Sequence, residues 1–494
     1  MRGAQTQPGH APSADSAAGL AAVVVGGGMS GLLAARGLAK AGITVTVLEA
    51  GEAWGGCVGR HTVGGLVLDS GAESFATRST AVADLARDLG LGGNIVAPHP
   101  GGAWVQLPDG PQELPKTGVL GIPANPWDPE VRRSLGFAGS LRASLDRYLP
   151  ASVGTSAAVT SVSSLVRARM GKRVLERLVA PVVGGVHSAD PGLLDVDMVA
   201  PGLRAALRQH GSLAAAVASQ REAVPNRNGS GTAKAGSAVG GLEGGMNTLV
   251  TALVAELRSR GVALVSGARV DSITRTESGW QATAAGTTYD AGRLVVALDG
   301  PAAVGLLEEA LPELSALRPA AGPLVSLVTL VVDVPELDRR PRGTGILVAP
   351  QTEGIEAKAL THATAKWDWL AEEAGPGTHV LRLSYGRGEG ADSPESVAAQ
   401  SVASLNDDAL LEAALRDAST LLTVPIVRED VLDWDVVRWE GALPFAAVGH
   451  KQRVAEVRRI CAEADGLSVV GGWLAGNGLA AVVADTSAQI DAVL

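Results

Sequence analysis

The sequence predicts a mixed α/β fold, and three stretches carry that prediction. Residues 21–50 read as strand, glycine turn, helix, strand and acid; residues 240–265 read as glycine turn, helix and strand; residues 467–490 read as strand, glycine turn and helix. In each, a short apolar run and a helical apolar pattern are divided by glycines. That is the punctuation of a parallel sheet covered by helices.

The first stretch is the most specific. Ala21 to Val25 fits a buried strand, Leu32, Leu33, Ala35, Leu38 and Ala39 form the inner face of a helix, Gly42 stops it, and Ile43 to Leu48 form the next strand. Gly26, Gly28 and Gly31 satisfy G-x-G-x-x-G, with Met29 and Ser30 opening the helix between them. The first glycine permits the tight turn, the second lets a pyrophosphate approach, and the third lets helix and strand pack closely. The helix N-terminus then offers unpaired N–H groups and a positive dipole end to the phosphates. Glu49 follows at the end of the second strand, where a carboxylate can accept hydrogen bonds from ribose hydroxyls. These features predict a Rossmann-type dinucleotide-binding domain, and the acid argues against NADP, whose 2′-phosphate it would repel.

Bulk properties narrow the class. A chain of 494 residues allows two or three domains, and with aromatics at 3% the cores must be mostly Ala, Val and Leu. A formal net charge of −10 argues against general nucleic-acid binding. Cys57 and Cys461, the only two cysteines, are far apart without metal or redox spacing, so they read as free thiols in a reducing compartment and no metal site is expected. Residues 1–19 have the composition of a disordered leader and lack the apolar core of a signal peptide. Pro323 to Val334 is the longest apolar stretch and is too short to cross a bilayer. A soluble, cytoplasmic protein is expected, with peripheral contact to a membrane or to neighbouring pathway enzymes left open, as is the oligomeric state.

Further along, residues 51–75 read as a glycine-rich loop with no regular element, and Ser79 to Leu91 as an amphipathic helix. Residues 95–127 suggest a hairpin entering another domain, and 128–220 a helical region in which Pro181 stops a helix. Residues 222–238 have linker composition. Asn247 is placed to cap a helix that Gly261 ends before the strand Val262 to Val265, and a further strand follows at Leu294 to Leu298. Residues 300–460 carry several strand-like runs. At the end, Gly471, Gly472, Gly476 and Gly478 turn the chain into a helix begun by Leu479.

Several segments resemble FAD enzymes of the amine-oxidase and porphyrinogen-oxidase type. Glu49-Ala50 followed by Gly55-Gly56 is similar to that family's second glycine motif, which runs along the flavin; Cys57 stands where the family usually has Arg or Lys, and Arg60 is near enough to replace that charge. Gly244-Gly245-Met246 with Leu249 resembles the helix start whose following strand, with Val270, contacts the adenine end. The turn holding Gly472, Gly478 and Leu479 resembles the one that sets a helix N-terminus against the isoalloxazine. Asp69 to Phe75, Ala180 to Pro191, Thr361 to Leu370 and Arg438 to Phe445 with Gly449-His450 narrow the resemblance to protoporphyrinogen and coproporphyrinogen oxidases. A chain without a membrane anchor looks most like the soluble bacterial coproporphyrinogen III oxidases.

The resemblance implies non-covalent FAD, a porphyrinogen substrate, dioxygen as acceptor and a place in haem synthesis. It places Arg78 at a substrate propionate, with Lys366 as second candidate and His187 near the substrate; the plain alternatives are a solvated arginine at a helix start and a turn histidine. No catalytic side chain is assigned, because the flavin takes the hydride. The expected domains are an FAD-binding domain from 20–94, 237–299 and 465–494, a substrate domain from 95–127 and 300–464, and a helical domain at 128–236. Protoporphyrinogen IX oxidation, another amine oxidase or desaturase of the same fold, and a non-catalytic porphyrin-binding flavoprotein are the alternatives.

Overall fold

The computed structural model describes residues 21–115, 118–156, 160–222, 238–386, 402–441, 447–476 and 478–494. The expected leader, nearly all of the 222–238 linker and Pro444 lie outside the described residues.

A five-stranded parallel sheet runs in the order Ala263–Val265, Thr44–Leu48, Ala21–Val25, Arg293–Val296, Leu467–Val469. Both of its faces are buried, as an all-parallel sheet requires. Ala22 and Val24 join one core with the helices Met29–Lys40, Asn247–Ser259 and Leu479–Asp491. Val23 and Val25 join another with a three-stranded meander, Val270 to Ala291, and the helices Gly300–Leu307 and His450–Glu463. The strands end at Val25, Leu48, Val296 and Val469, so the turns that follow them meet at one edge. In parallel sheets that carboxyl edge is where ligands bind.

The second large sheet has seven strands, in the order Val431–Trp439, Val325–Asp333, Thr378–Tyr385, Ala359–His362, Gly345–Val348, Trp104–Leu107, Gly110–Glu113. Only the pair Gly345–Val348 with Trp104–Leu107 is parallel. One face packs on the helix Asp407–Leu422. The stretch from 128 to 222 is helical among its described residues, around a core that includes Leu135, Leu165, Leu178 and Leu207.

Three local expectations need correction. The supposed loop after Glu49 contains a hairpin, Arg60–Val63 with Leu66–Asp69, turned by Gly64 and Gly65 at φ +57° and +80°. Two consecutive positive φ values make the turn whose twist suits a tight hairpin, so paired glycines marked structure there. The helix expected to stop at Pro181 continues from Lys172 to His187, with a π-helical turn at Leu175–Val179 just before the proline. Proline lacks an N–H and crowds the preceding turn, and the widened turn absorbs that mismatch. Asn247 begins its helix and does not cap it. The cap is the Asp69 carboxylate, which accepts from the Met246 and Asn247 backbone N–H groups at 2.8 and 2.9 Å.

Candidate active site

The glycine turn after Ala21–Val25 has the geometry its spacing predicts. Gly26 sits at φ +105°, and a Cβ on Gly31 would lie 1.8 Å from the Gly26 carbonyl oxygen. Gly27 is equally constrained, because a Cβ there would strike the Trp54 ring at 2.5 Å. Gly28 differs from both: a Cβ would meet nothing within 4 Å, and the residue lines a large cleft. The protein therefore leaves bare backbone facing open space at a helix N-terminus, which fits a pyrophosphate. Glu49 closes the turn from the side, its two carboxylate oxygens accepting from Gly27 and Gly51 N–H groups at 2.7 Å each. Each oxygen keeps a second lone pair for a ribose hydroxyl.

Gly55 runs beside this turn. Its N–H donates to the Gly27 carbonyl at 2.8 Å, and it forms a parallel bridge with Gly28. Gly55 and Gly56 both have positive φ, +107° and +56°, and a Cβ on Gly56 would come within 3.4 Å of Gly28. Across the cleft stand Gly472, Gly478 and Leu479, the last opening a helix of 13 residues whose N-terminus faces the open space. Its dipole favours negative charge there.

The cleft encloses about 1650 Å³ of atom-free space, its open mouth included. One wall is the carboxyl edge of the parallel sheet. The facing wall is the seven-stranded sheet, through Val325, Leu327, Arg382, Ser384 and Trp439, and the end of the Pro181 helix contributes Gly185, Val186 and Ser188. Mostly apolar walls with few polar groups suit a flat, largely apolar ligand that is oriented at a few points.

Of the three residues anticipated for substrate, none lines this cleft. Arg78 is exposed in the turn after Phe75–Ala76. Lys366 is committed elsewhere, its Nζ 2.5 Å from Glu73. His187 ends its helix beside the cleft-lining Val186 and Ser188, and burial pulls its pKa down to about 4, so it is neutral near pH 7. Ala50 and Arg60 are exposed and Val270 is buried in the core behind the sheet, also outside the cleft lining.

The cation the structure brings to the cleft is Arg382, on Thr378–Tyr385. Its Nη1 donates to the Gly71 carbonyl at 2.7 Å and its Nη2 lies 3.0 Å from Glu73. Burial pushes the Glu73 carboxyl up, but Arg382 and Lys366 outweigh it and bring the pKa down to about 2. Two cations thus flank Glu73, and the Asp69 carboxyl also faces Arg382, so this guanidinium meets the cleft from within a network of paired charges. The signal in the sequence was a lone arginine in the alternating apolar run HVLRLSYG; nothing there linked it to Glu73, more than 300 residues earlier. Trp439 is held to the same corner by its indole N–H, which donates to the Ser70 carbonyl at 2.8 Å. Among the described residues no cluster of His, Cys, Asp and Glu could hold a metal ion.

A Rossmann-type turn, a glycine loop laid against it and a helix N-terminus facing both define a flavin-dependent oxidoreductase. The chain belongs to the flavin containing amine oxidoreductase family, whose model matches residues 29–482, and its cofactor is FAD. It is 30% identical to the coproporphyrinogen III oxidase of Mycobacterium leprae over 476 residues, 95% of this chain and 97% of that one. It is 31% identical to the coproporphyrinogen III oxidase of Mycobacterium tuberculosis H37Rv, covering 95% of this chain and 96% of the relative. Among solved structures, one from Exiguobacterium sp. 255-15, assigned provisionally as a protoporphyrinogen oxidase, superposes with a TM-score of 0.77 at 24% identity, covering 96% and 98% of the two chains. At that identity the superposition speaks for the fold. No helix among the described residues is long and apolar enough to cross a membrane.

Proposed function

We propose that this protein oxidises coproporphyrinogen III to coproporphyrin III in haem synthesis, with dioxygen as final acceptor and hydrogen peroxide as by-product. The observation that carries the reading is the cleft itself: glycine turns suited to FAD on one wall, and a mostly apolar wall bearing the Arg382 guanidinium on the other. Near-full-length similarity to coproporphyrinogen III oxidases supports it.

When bound, FAD would supply two-electron oxidation, taking a hydride from a meso carbon as a pyrrole N–H loses its proton and being reoxidised by dioxygen to give hydrogen peroxide, so that three rounds would remove six electrons. Everything else is positioning. Gly26, Gly28, Met29, Ser30 and Gly31 would hold the pyrophosphate, Glu49 with Ala50 beside it would hold the ribose, and Gly55 and Gly56 would leave room for the cofactor to pass. Gly472, Gly478 and Leu479 would offer a helix N-terminus to the flavin ring. The apolar wall orients the tetrapyrrole and excludes water, and Arg382 holds one of its carboxylates. In this assignment Arg382 takes the part that the sequence suggested for Arg78 and Lys366.

We further assign FAD binding to 20–94, 237–299 and 465–494, substrate binding to 95–127 and 300–464, and a helical domain to 128–236. Cys57 and Cys461, both free thiols, support a cytoplasmic setting. Anaerobic mixing of the FAD-loaded protein with coproporphyrinogen III tests the chemistry. Loss of the flavin's visible absorbance, then three peroxides per porphyrin once oxygen is admitted, is expected. An unbleached flavin would overturn the proposal.

A further inference from the structure

His450 opens the helix His450–Glu463 and lines the cleft while only 1% exposed. Its Nε2 lies 2.6 Å from the Trp473 carbonyl oxygen. A carbonyl can only accept, so Nε2 carries the proton and Nδ1 is left as a bare lone pair. That Nδ1 is buried and has no partner among the described residues. The indole N–H of Trp473, which can only donate, is also buried and without a partner, and Trp473 lines the same cleft.

Unpartnered buried polar atoms are rare because each forfeits its bonds to water. Here an acceptor and a donor occur on two residues already hydrogen-bonded to each other, in the wall of the same cleft. The ring is also firmly placed: the Gly449 N–H beside it donates to the Asp195 carboxylate at 3.0 Å. Burial lowers the basicity of His450, with Arg453 acting the same way and Asp195 and the Trp473 carbonyl opposing, so the imidazole stays neutral and its lone pair stays available.

We propose that His450 Nδ1 accepts a hydrogen bond from a ring N–H of a heteroaromatic molecule bound in the cleft, and that Trp473 Nε1 donates to an acceptor beside it. Two molecules of this site carry such an N–H: the cofactor, in the imide edge of its flavin ring, and the porphyrinogen, in its pyrroles. The second source rests on the function proposed above; the first does not.

Two substitutions separate this role from a structural one. In His450→Gln the side-chain amide can still donate to the Trp473 carbonyl from the Nε2 position, but the acceptor at Nδ1 is gone. His450→Asn does the reverse. FAD affinity is measured by titrating the apoprotein, and KM and kcat with coproporphyrinogen III. If the flavin imide is the donor, His450→Gln and Trp473→Phe each raise the FAD Kd about tenfold while His450→Asn stays within about twofold of wild type. If a pyrrole is the donor, the FAD Kd holds and His450→Gln raises KM about tenfold instead. The proposal is overturned if His450→Gln matches wild type in both measurements, or if His450→Gln and His450→Asn are impaired alike. Wild-type protein that binds FAD but oxidises no porphyrinogen would sink the proposed function and leave the affinity comparison standing.

Discussion

Single residues decide whether the cofactor and the substrate can be held. Gly28 and Gly31 belong to one motif but answer to different constraints. A methyl group on Gly28 meets no protein atom, whereas one on Gly31 overlaps the Gly26 carbonyl at 1.8 Å. Gly28→Ala should therefore keep the wild-type Tm and raise the FAD Kd at least about tenfold, by holding off the pyrophosphate. Gly31→Ala should lower the Tm as well, because the turn must open. Thermal melts of both apoproteins check the contrast, and equal Tm losses would contradict it. For Arg382→Gln the expected result is a KM for coproporphyrinogen III raised about 10- to 100-fold, the worth of a charge-assisted bond, with kcat changed far less. A change confined to kcat would remove Arg382 from substrate binding. The three motif glycines were legible in the sequence because their spacing meets local needs, the steric limits of the turn at Gly26 and Gly31 and bare backbone toward a ligand at Gly28. Arg382 was not, since its importance comes from Glu73 and Lys366, which only the tertiary fold brings to it.

Elements are tied to one another by a few buried polar groups. Asp69 ends the hairpin strand Leu66–Asp69 and caps Asn247–Ser259, joining the glycine-rich segment to a helix of the cofactor sheet. Asp69→Ala should cost about 1–2 kcal/mol of stability, measurable by urea denaturation, and a neutral effect would mean that the cap is idle. In the helical region Arg169 is wholly buried, its Nε 2.5 Å from Asp146, with the Asp146, Pro150 and Gly211 carbonyls accepting from its remaining N–H groups. Arg169→Met leaves Asp146 charged and unpaired inside the protein, so a loss of about 3–5 kcal/mol is expected from the same experiment. The hairpin and the uninterrupted Pro181 helix show why elements were read less well than motifs. Glycine pairs and prolines punctuate loops and also serve hairpin turns and π-helical turns, and only their surroundings choose between those uses.

At the scale of the whole molecule, two sheets and a helical region enclose one cleft, and buried histidines make the fold sensitive to acid. His362 is fully buried with its Nε2 3.0 Å from His379 Nδ1, and burial pulls its pKa down to about 3 and that of His379 down as well. In the unfolded chain both titrate near 6.5, so below that pH the unfolded state binds protons the folded state refuses. Stability from this pair is therefore complete above about pH 6.5 and falls below it, for His362 down to about pH 3, by up to about 1.4 kcal/mol per pH unit for each group still refusing its proton. Asp417, pushed up to about 6 by burial, works in the opposite sense between about pH 6 and 4. Urea denaturation at pH 7.5 and 5.5 should show a smaller loss in His362→Asn than in wild type, and equal losses would contradict the assignment. The parallel sheet and its covering helices were legible because strand, turn and helix alternate locally along the chain. The facing wall of the cleft was not, since Arg382 comes to it from a strand of the other sheet, far in sequence from the glycine turns it faces. The most direct test of the central claim is the aerobic rate of porphyrin formation by FAD-loaded protein, with coproporphyrinogen III and protoporphyrinogen IX assayed separately against autoxidation. The account predicts fluorescence growth well above the control and faster with coproporphyrinogen III; no acceleration with either substrate would contradict it.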